Sequence, residues 1–183
     1  LFRSVDAAMV DAAASLMTPI YGLHAAGLHG GARGTNVLDS GSPIYDAYEC
    51  ADGTFVSIAP IERKFRKELF ARLGVSQAAV DAAEDRSAWG AVRQELKATF
   101  LTKTRSQWCE LLEGTDSCFA PVLSLDEAPH HAHPAERRSF MTIDGVVQPA
   151  PAPRFSVDHC GDPTPPEQPG ADMVAALAVW GFT

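Results

Sequence analysis

The chain has 183 residues, of which 46% are apolar and 21% charged, so a disordered or coiled-coil chain is a poor first hypothesis. The formal net charge of −8 argues against a main role in binding the phosphates of a nucleic acid. No apolar run approaches the ~20 residues that span a bilayer and no signal segment is recognised, so a cytoplasmic protein is expected.

The first part of the chain divides into an apolar helix and a glycine-rich stretch. Residues Val5–Ile20 are rich in alanine and predict one helix that ends near Pro19. Residues 21–38 lack a sustained period and predict a loop. Its glycine cluster, Gly27–Gly34, does not follow a strand, which favours a linker over a phosphate-binding loop. Because the chain begins at Leu1 without methionine, we expect it to come from the middle of a larger protein.

The middle of the chain predicts a β-hairpin followed by helices. Residues 44–50 and 54–58 flank an Ala-Asp-Gly turn and predict the two strands. Apolar residues at helical spacing predict helices over residues 61–73 and 89–100. Residues 104–114 begin with a capping-box pattern and end with glycine, which predicts a shorter helix. Basic and acidic side chains are mixed over these helices, so solvated helix faces are favoured over a nucleic-acid patch.

The last third predicts a strand, a second hairpin and a connector. Residues 118–123 are typical of a strand, and the Ser-x-x-Glu pattern of residues 124–127 predicts the start of a short helix. Residues 140–148 predict a hairpin around Asp-Gly. Residues 149–169 are rich in proline and predict an extended connector, because proline fits neither helix interiors nor central strands. Residues 171–180 predict a short apolar helix.

The residues alone indicate few candidates for chemistry. His130, His131 and His133 stand together, but no carboxylate or cysteine nearby completes a metal-ligand set, so packed or exposed histidines are favoured. Glu62 follows a predicted strand and precedes a helix, where a helix-start acid is the favoured interpretation. Tyr45 is typical of a half-buried strand aromatic. The cysteines are widely spaced and predict reduced thiols rather than disulfides: Cys50, Cys109, Cys118 and Cys160.

Several sequence segments nevertheless stand in a characteristic order along the chain. They are Val5–Asp11, Asn36–Asp39, Pro43–Gly53, Ile61-Glu62, Ala120–Leu123, Arg138–Phe140 and Pro151–Ser156. In this order they resemble the α-methylacyl-CoA racemases, which belong to the larger family III CoA-transferase group. The most specific part is Tyr-Asp-x-Tyr-Glu-x-Ala-Asp-Gly followed by Ile-Glu, and the resemblance covers essentially the whole chain.

The resemblance implies an α+β small domain of hairpins and helices, flanked by linkers and helices that belong to a Rossmann-like large domain. It also implies interlocked homodimers. The implied boundaries are 1–20 for the last large-domain helix, 21–45 for a linker, 46–131 for the small domain, 132–152 for the return linker and 153–183 for a segment docking on the large domain.

The resemblance further implies an enzyme that interconverts 2R and 2S epimers of 2-methyl-branched acyl-CoA thioesters. The family's catalytic His and Asp match no residue of this chain, so the chain alone is expected to be inactive. Glu62 matches the residue that orients this His, and Tyr45 matches an active-site wall. The acyl pocket is bordered by residues matching Asn36, Val37, Leu38 and Asp39. Coenzyme A enters as part of the substrate, and no metal or redox cofactor is implied.

Two other functions stay open at this point. A family III CoA-transferase moves CoA between carboxylic acids and differs in residues that this chain does not contain. A non-catalytic oligomerisation module would keep the small domain only. The Glu62 motif favours the racemase. The apolar N-terminal helix is expected to pack on a large domain, which argues against the non-catalytic oligomerisation module.

Overall fold

The computed structural model describes residues 6–157, 161, 163–167 and 169–182. These residues divide into two compact units, and the boundary follows Val122. The first unit contains α1 (Met9–Leu16), α2 (Thr18–Ala25), β1 (Asp46–Glu49), β2 (Phe55–Ile58), α3 (Arg63–Leu73), α4 (Gln77–Ala82), α5 (Trp89–Phe100), α6 (Arg105–Leu112) and β3 (Phe119–Val122). The second contains α7 (Ala132–Glu136), β4 (Phe140–Ile143), β5 (Val146–Pro149) and α8 (Met173–Val179). Antiparallel sheets with separate helices confirm the predicted α+β class.

The sheet of the first unit is antiparallel, with β2 between β1 and β3. Because side chains alternate along a strand, its two faces differ. Tyr48 and Val56 lie opposite each other on the inner face and are fully buried. Ala47 and Ser57 lie opposite each other on the outer face, where Phe55 is also open to solvent. The outer face is therefore free to form a binding surface.

Three aromatic rings fill the space between β1, α5 and α6. Tyr48 stacks on Phe100 with ring centroids 5.1 Å apart, and Phe100 meets Trp108 edge-on at 5.2 Å. The Trp108 indole donates a 2.9 Å hydrogen bond to the carbonyl oxygen of Phe100, and the Tyr48 hydroxyl donates to that of Pro43. Burial raises the pKa of Tyr48 well above its ordinary value, so this hydroxyl remains a donor.

Arg66 is a buried cation that joins α3 to α4. Its side chain donates to the carbonyl oxygens of Ile61 at 2.8 Å and Val80 at 3.2 Å, and it pairs with Glu84 at 3.3 Å. Burial is the main cause of its lowered pKa, and these partners offset the loss of hydration. Because Ile61 immediately precedes Glu62, the same contacts fix where α3 begins.

Most of the predicted elements of the first unit are confirmed. The hairpin of β1 and β2 is present, and α3 ends at Gly74, whose φ of 73° suits a residue without a side chain. The capping box of α6 is complete, because Thr104 accepts from the main chain of Gln107 while the Gln107 side chain accepts from that of Thr104. The hairpin of β4 and β5 in the second unit is also present.

The single N-terminal helix predicted for Val5–Ile20 is wrong in its extent. Val5 lies outside the described residues, α1 ends at Leu16, and α2 continues to Ala25. Pro19 lies in the first turn of α2. A proline there loses no helical hydrogen bond and its fixed φ suits helix initiation, so it begins a second helix instead of ending the first.

The helix predicted to start at Ser124 is also wrong. The reciprocal hydrogen bonds expected of Ser124 and Glu127 are present, at 2.8 and 3.2 Å. However, the chain then forms only a turn and the 3₁₀ segment Ala128–His130. Pro129 has no N–H to donate, so it cannot form the hydrogen bond that would extend an α-helix from this cap.

The first and last helices carry apolar side chains that are open to solvent. None of the described residues of α1, α2 or α8 is buried. Met9 is 89% exposed, and Leu16 and Val179 are similarly open. Clusters of large exposed apolar side chains are typical of surfaces that pack against another protein segment. In the part of the chain that the structure describes, no helix is long and apolar enough to cross a membrane.

Candidate functional site

A cavity of about 320 Å³ lies on the outer face of the sheet, at the start of β1. We call it the Leu38–Tyr45 cavity. It is lined by Leu38, Ser40, Tyr45, Asp46, Ala47, Ser57, Ile58 and Ala59. Leu38 is 46% and Tyr45 36% exposed, and both stand on the segment that leads into β1. The volume is at the small end of the range for ligand pockets, enough for a short branched group.

Residues 30–42 fold around the buried side chain of Asn36, and we call them the Asn36 loop. The side-chain oxygen of Asn36 accepts from the main-chain N–H of Gly30 at 2.7 Å. Its amide group donates to the Gly30 carbonyl at 3.3 Å and to the Asp39 carboxylate at 2.8 Å. Its main-chain carbonyl accepts from Ser42 at 3.2 Å. These bonds give a loop without regular secondary structure a defined shape.

The Asp39 carboxylate holds the other side of the Asn36 loop. It accepts from the main-chain N–H groups of Asn36 at 2.7 Å, Gly34 at 3.1 Å and Gly41 at 3.3 Å. The side chain of Asn36 is the largest cause of its lowered pKa, and the main-chain donors add to it. Asn36 and Asp39 thus make their hydrogen bonds inside the loop, and contact between either residue and a substrate stays a prediction.

We expect Asp39→Asn to destabilise the loop in a pH-dependent way. A carboxylate whose pKa is lowered by folding stabilises the folded state above its ordinary pKa near 3.8, and this contribution is lost as the pH falls through the lowered value. In urea unfolding, the difference between wild type and Asp39→Asn should therefore be largest near about pH 7 and shrink towards about pH 3. Asp126→Asn, in an exposed turn, is the control. A difference that does not depend on pH would contradict this account.

Arg93 of α5 joins the Asn36 loop to β1. Its guanidinium forms an ion pair with Asp46 and donates to the carbonyl oxygens of Ser40 at 2.7 Å and Gly41 at 3.0 Å. The sequence analysis did not single out Arg93, because a charged residue on an amphipathic helix is usually a solvated one. Ser40 and Asp46 line the cavity, so Arg93 contacts two lining residues without lining the cavity itself.

Glu62 stands at the junction of a strand and a helix, as predicted. Its main-chain carbonyl accepts from Phe65 and Arg66, both at 3.1 Å, which begins α3. Its exposed carboxylate makes no capping hydrogen bond to that helix. After burial, the Glu62 charge is the next cause of the raised pKa of the Cys118 thiol. Glu62 does not line the Leu38–Tyr45 cavity, although Ala59 three residues earlier does.

The structure thus brings two of the six predicted site residues, Leu38 and Tyr45, into one cavity. Val37 is half-buried in the Asn36 loop and does not line that cavity. Two cavity residues that the sequence analysis did not select, Ala47 and Ser57, lie opposite each other on the neighbouring strands β1 and β2. Their pairing was the available signal, because the predicted hairpin places residues on either side of its turn opposite each other.

Histidines, cysteines and carboxylates are the side chains that bind most metal ions in proteins. Over the residues that the structure describes, no three of these side chains lie close enough to hold a metal ion, and this includes His130, His131 and His133. The thiols of Cys50, Cys109 and Cys118 are free, and burial raises the pKa of Cys50 to about 11. Cys160 lies outside the described residues. The Leu38–Tyr45 cavity is the candidate binding site because two predicted site residues, Leu38 and Tyr45, line it.

The sequence matches the family described as CoA-transferase family III over residues 3–172. It is similar to the alpha-methylacyl-CoA racemase of Mus musculus, with 36% identity over 182 residues, or 98% of this chain and 48% of that protein. The alpha-methylacyl-CoA racemase of Homo sapiens is 35% identical over 150 residues, or 81% of this chain and 39% of that protein. The chain therefore spans less than half the length of these relatives.

Solved structures share the fold. Rv3272 from Mycobacterium tuberculosis superposes with a TM-score of 0.62 at 19% sequence identity, covering 92% of this chain and 46% of that chain. A D175A mutant of the same protein gives 0.63 at 18% identity, covering 93% and 46%. At this level of identity the likeness concerns the fold.

Proposed function

The chain belongs to CoA-transferase family III, and we propose that it is the C-terminal part of an α-methylacyl-CoA racemase. The observation that carries the proposal is the 36% identity to such a racemase along 98% of the chain. The chain's own contribution would be a supporting one, because the motifs it shares include neither of the family's two bases. By itself the chain is expected to be inactive.

The proposed reaction exchanges one proton at the carbon next to the thioester. A base on one face removes this proton, and the electron pair of the C–H bond moves into the thioester carbonyl to give an enolate-like intermediate. A second acid on the opposite face returns a proton to the same carbon, which inverts its configuration. On this proposal, the His and Asp that would act as these groups lie in the part of the racemase that this chain does not match.

Glu62 is proposed to orient the histidine and raise its basicity. A carboxylate beside an imidazole favours the protonated form and fixes which nitrogen carries the proton. Glu62 suits this role because its carboxylate is exposed and is not used to cap α3. Arg66, which is only 4% exposed, donates to the carbonyl of Ile61 and so helps to fix the main chain next to Glu62.

The Leu38–Tyr45 cavity is proposed to receive the branched end of the acyl chain next to the thioester. Leu38 and Tyr45 offer apolar surface, and the small side chain of Ala47 leaves space above the outer face of β1. Asn36 and Asp39 would shape this cavity indirectly, through the hydrogen bonds that define the Asn36 loop. The substrate class proposed is a 2-methyl-branched acyl-CoA, and the reaction requires no metal or redox cofactor.

The exposed helices are proposed to pack on the rest of the enzyme. The apolar side chains of α1, α2 and α8 would be covered by a Rossmann-like large domain in an interlocked homodimer. On this proposal residues 46–131 form the small domain, while residues 21–45 and 132–152 are linkers. Residues 1–20 and 153–183 then belong to the large domain.

The first experiment is α-proton exchange by the complete protein that contains this chain. A 2-methylacyl-CoA of defined configuration is incubated in deuterated water, and deuterium at the α carbon and loss of optical purity are followed together. Exchange with inversion supports the racemase. A protein that shows neither exchange nor inversion is not a racemase.

A CoA-transferase is the second candidate. A CaiB/baiF CoA-transferase family protein of Caenorhabditis elegans is 31% identical over 112 residues, or 61% of this chain and 32% of that protein. A transferase would move CoA from the thioester to an added carboxylic acid without inverting the α carbon. The same incubation with an acceptor acid therefore distinguishes a racemase from a CoA-transferase. If neither reaction is observed, the non-catalytic oligomerisation module is the hypothesis that remains.

We expect Glu62→Gln in the complete protein to lower the turnover number for α-proton exchange about tenfold or more while changing KM less. The amide keeps the size of the side chain but loses the charge that would hold the imidazole, and a hydrogen bond to a charged group contributes roughly 1.5–3 kcal/mol. Isotope exchange at saturating substrate measures the effect.

Glu68→Gln is the matched control, because Glu68 lies on the same helix and pairs with Arg72 at 2.7 Å within it. Its turnover number should remain close to that of the wild type. An unchanged exchange rate in Glu62→Gln would return Glu62 to the role of a helix-start acid.

A further inference from the structure

We propose that Arg93 is a positioning residue that sets the width of the Leu38–Tyr45 cavity and thereby its preference for a branched acyl chain. This proposal deepens the proposed function and rests on it for the identity of the ligand. It concerns how Arg93, which is far along the chain, holds the Asn36 loop and β1 at a fixed separation.

The contacts of Arg93 join three segments. Its guanidinium reaches from α5 to the Asp46 carboxylate on β1 and to the carbonyl oxygens of Ser40 and Gly41 in the Asn36 loop. The side chains of Arg93 and Asp46 are 21% and 20% exposed. Partial removal from water strengthens such a pair relative to an ion pair on an open surface.

These contacts fix the wall of the cavity against its floor. Leu38 and Ser40 belong to the wall, whereas Asp46 and Ala47 belong to the strand that forms the floor. The Asn36 loop is bonded mainly to itself, so its internal hydrogen bonds define its shape but not its distance from β1. The Tyr48 hydroxyl of β1 holds the carbonyl of Pro43 just after the loop. Arg93 fixes the distance of the loop itself, because one planar group binds atoms of Ser40, Gly41 and Asp46 together.

The chemistry of arginine suits this role better than that of lysine. A guanidinium has several N–H donors in a fixed plane and can bind a carboxylate and two carbonyl oxygens together. A lysine ammonium could keep the charge opposite Asp46 but would not reach the carbonyls of Ser40 and Gly41 in the same geometry. Arg93→Lys is therefore expected to hold the Asn36 loop against β1 in part, and Arg93→Met is expected not to hold it.

A less firmly held Asn36 loop should weaken the preference for a branched substrate more than it slows the proton transfer. The bases of the proposed reaction do not belong to the cavity wall, so turnover at saturation should stay within about twofold of the wild type. The KM for a long-chain 2-methylacyl-CoA should rise about tenfold in Arg93→Met, which corresponds to the loss of roughly one well-formed polar contact. The KM for propionyl-CoA, which has no branch to place, should change much less.

The experiment combines hydrogen exchange with this kinetic comparison in the complete protein. The amide protons of Ser42 and Tyr45 are bonded to the carbonyls of Asn36 and Ser42. They should exchange about tenfold faster in Arg93→Met, and by a smaller factor in Arg93→Lys. Arg72→Met is the control, because Arg72 pairs with Glu68 on its own helix, and its exchange and kinetics should match the wild type.

The outcomes separate the two proposals. Unchanged exchange at Ser42 and Tyr45 in Arg93→Met would overturn the positioning role, whatever the enzyme catalyses. Faster exchange together with a raised KM for the branched substrate alone supports it, and equal loss for both substrates would overturn the selective role. A wild-type protein inactive towards every thioester would refute the proposed function, while the exchange data would still decide whether Arg93 holds the loop.

Discussion

Trp108→Ala should be among the most destabilising single substitutions in the first unit, lowering the free energy of unfolding by about 3–5 kcal/mol. Trp108 is 1% exposed and its ring meets Phe100 edge-on. Truncation to alanine removes this contact and leaves a space that β1, α5 and α6 border. A loss of this size is a large fraction of the stability of a typical domain, which is about 5–15 kcal/mol.

The polar atom of Trp108 adds to the effect of its ring. Its indole N–H donates to the Phe100 carbonyl at 2.9 Å. Trp108→Phe keeps an aromatic ring but removes this donor, and the Phe100 carbonyl retains the longer 3.5 Å hydrogen bond from the main-chain N–H of Lys103. A smaller loss of about 1–3 kcal/mol is therefore expected. The order of the two variants therefore separates the packing contribution from that of the hydrogen bond.

Urea unfolding followed by circular dichroism measures both losses. Leu111→Ala is the matched control, because Leu111 lies on the same helix but is 36% exposed, so it should cost less than about 1 kcal/mol. If Trp108→Ala unfolded at the same denaturant concentration as the control, the aromatic cluster would not be the centre of this core.

The elements with strong local signals were the ones predicted correctly. α3, α5 and α6 each place apolar residues at helical spacing. A glycine also follows the end of α3 and a capping box begins α6, so in these two helices the pattern and the boundary agree. The hairpins were found because a turn motif and strand-forming residues occur together. Pro19 was misinterpreted because one residue type can either end a helix or begin one.

The site required contacts that no local pattern encodes. Arg93 and Asp46 are paired in space, yet nothing near either residue in sequence indicates the other. The family resemblance selected Leu38 and Tyr45, and these two residues line one cavity. It also selected Asn36 and Asp39, which form their hydrogen bonds within their own loop. A motif marks residues that matter in a family without separating those that touch a ligand from those that shape the chain around it.

Gly41→Ala should disturb the Asn36 loop more than any conservative change in its polar side chains. A methyl group at Gly41 would lie 2.5 Å from the main-chain nitrogen and oxygen of Asn36 and 2.6 Å from the carbonyl carbon of Thr35. These are backbone atoms, so neither neighbour can turn aside as a flexible side chain would. The loop must shift as a whole, which is expected to cost about 1–3 kcal/mol.

The shift should also be felt at the cavity. Gly41 donates to the Asp39 carboxylate and its carbonyl accepts from Arg93, so displacing it loosens the loop from inside and from β1 together. In the complete protein we expect lower stability, together with a raised KM for a 2-methylacyl-CoA if the proposed function is correct. Thermal unfolding and α-proton exchange measure the two effects.

Gly31→Ala is the matched control within the same loop. A methyl group at Gly31 would meet no atom within 4 Å, so the same substitution ten residues earlier should leave stability and KM close to those of the wild type. If both variants were equally stable, the close approach of Gly41 to Asn36 would not constrain the loop. If only Gly41→Ala were destabilised, with KM unchanged, the loop would support the fold without shaping the cavity.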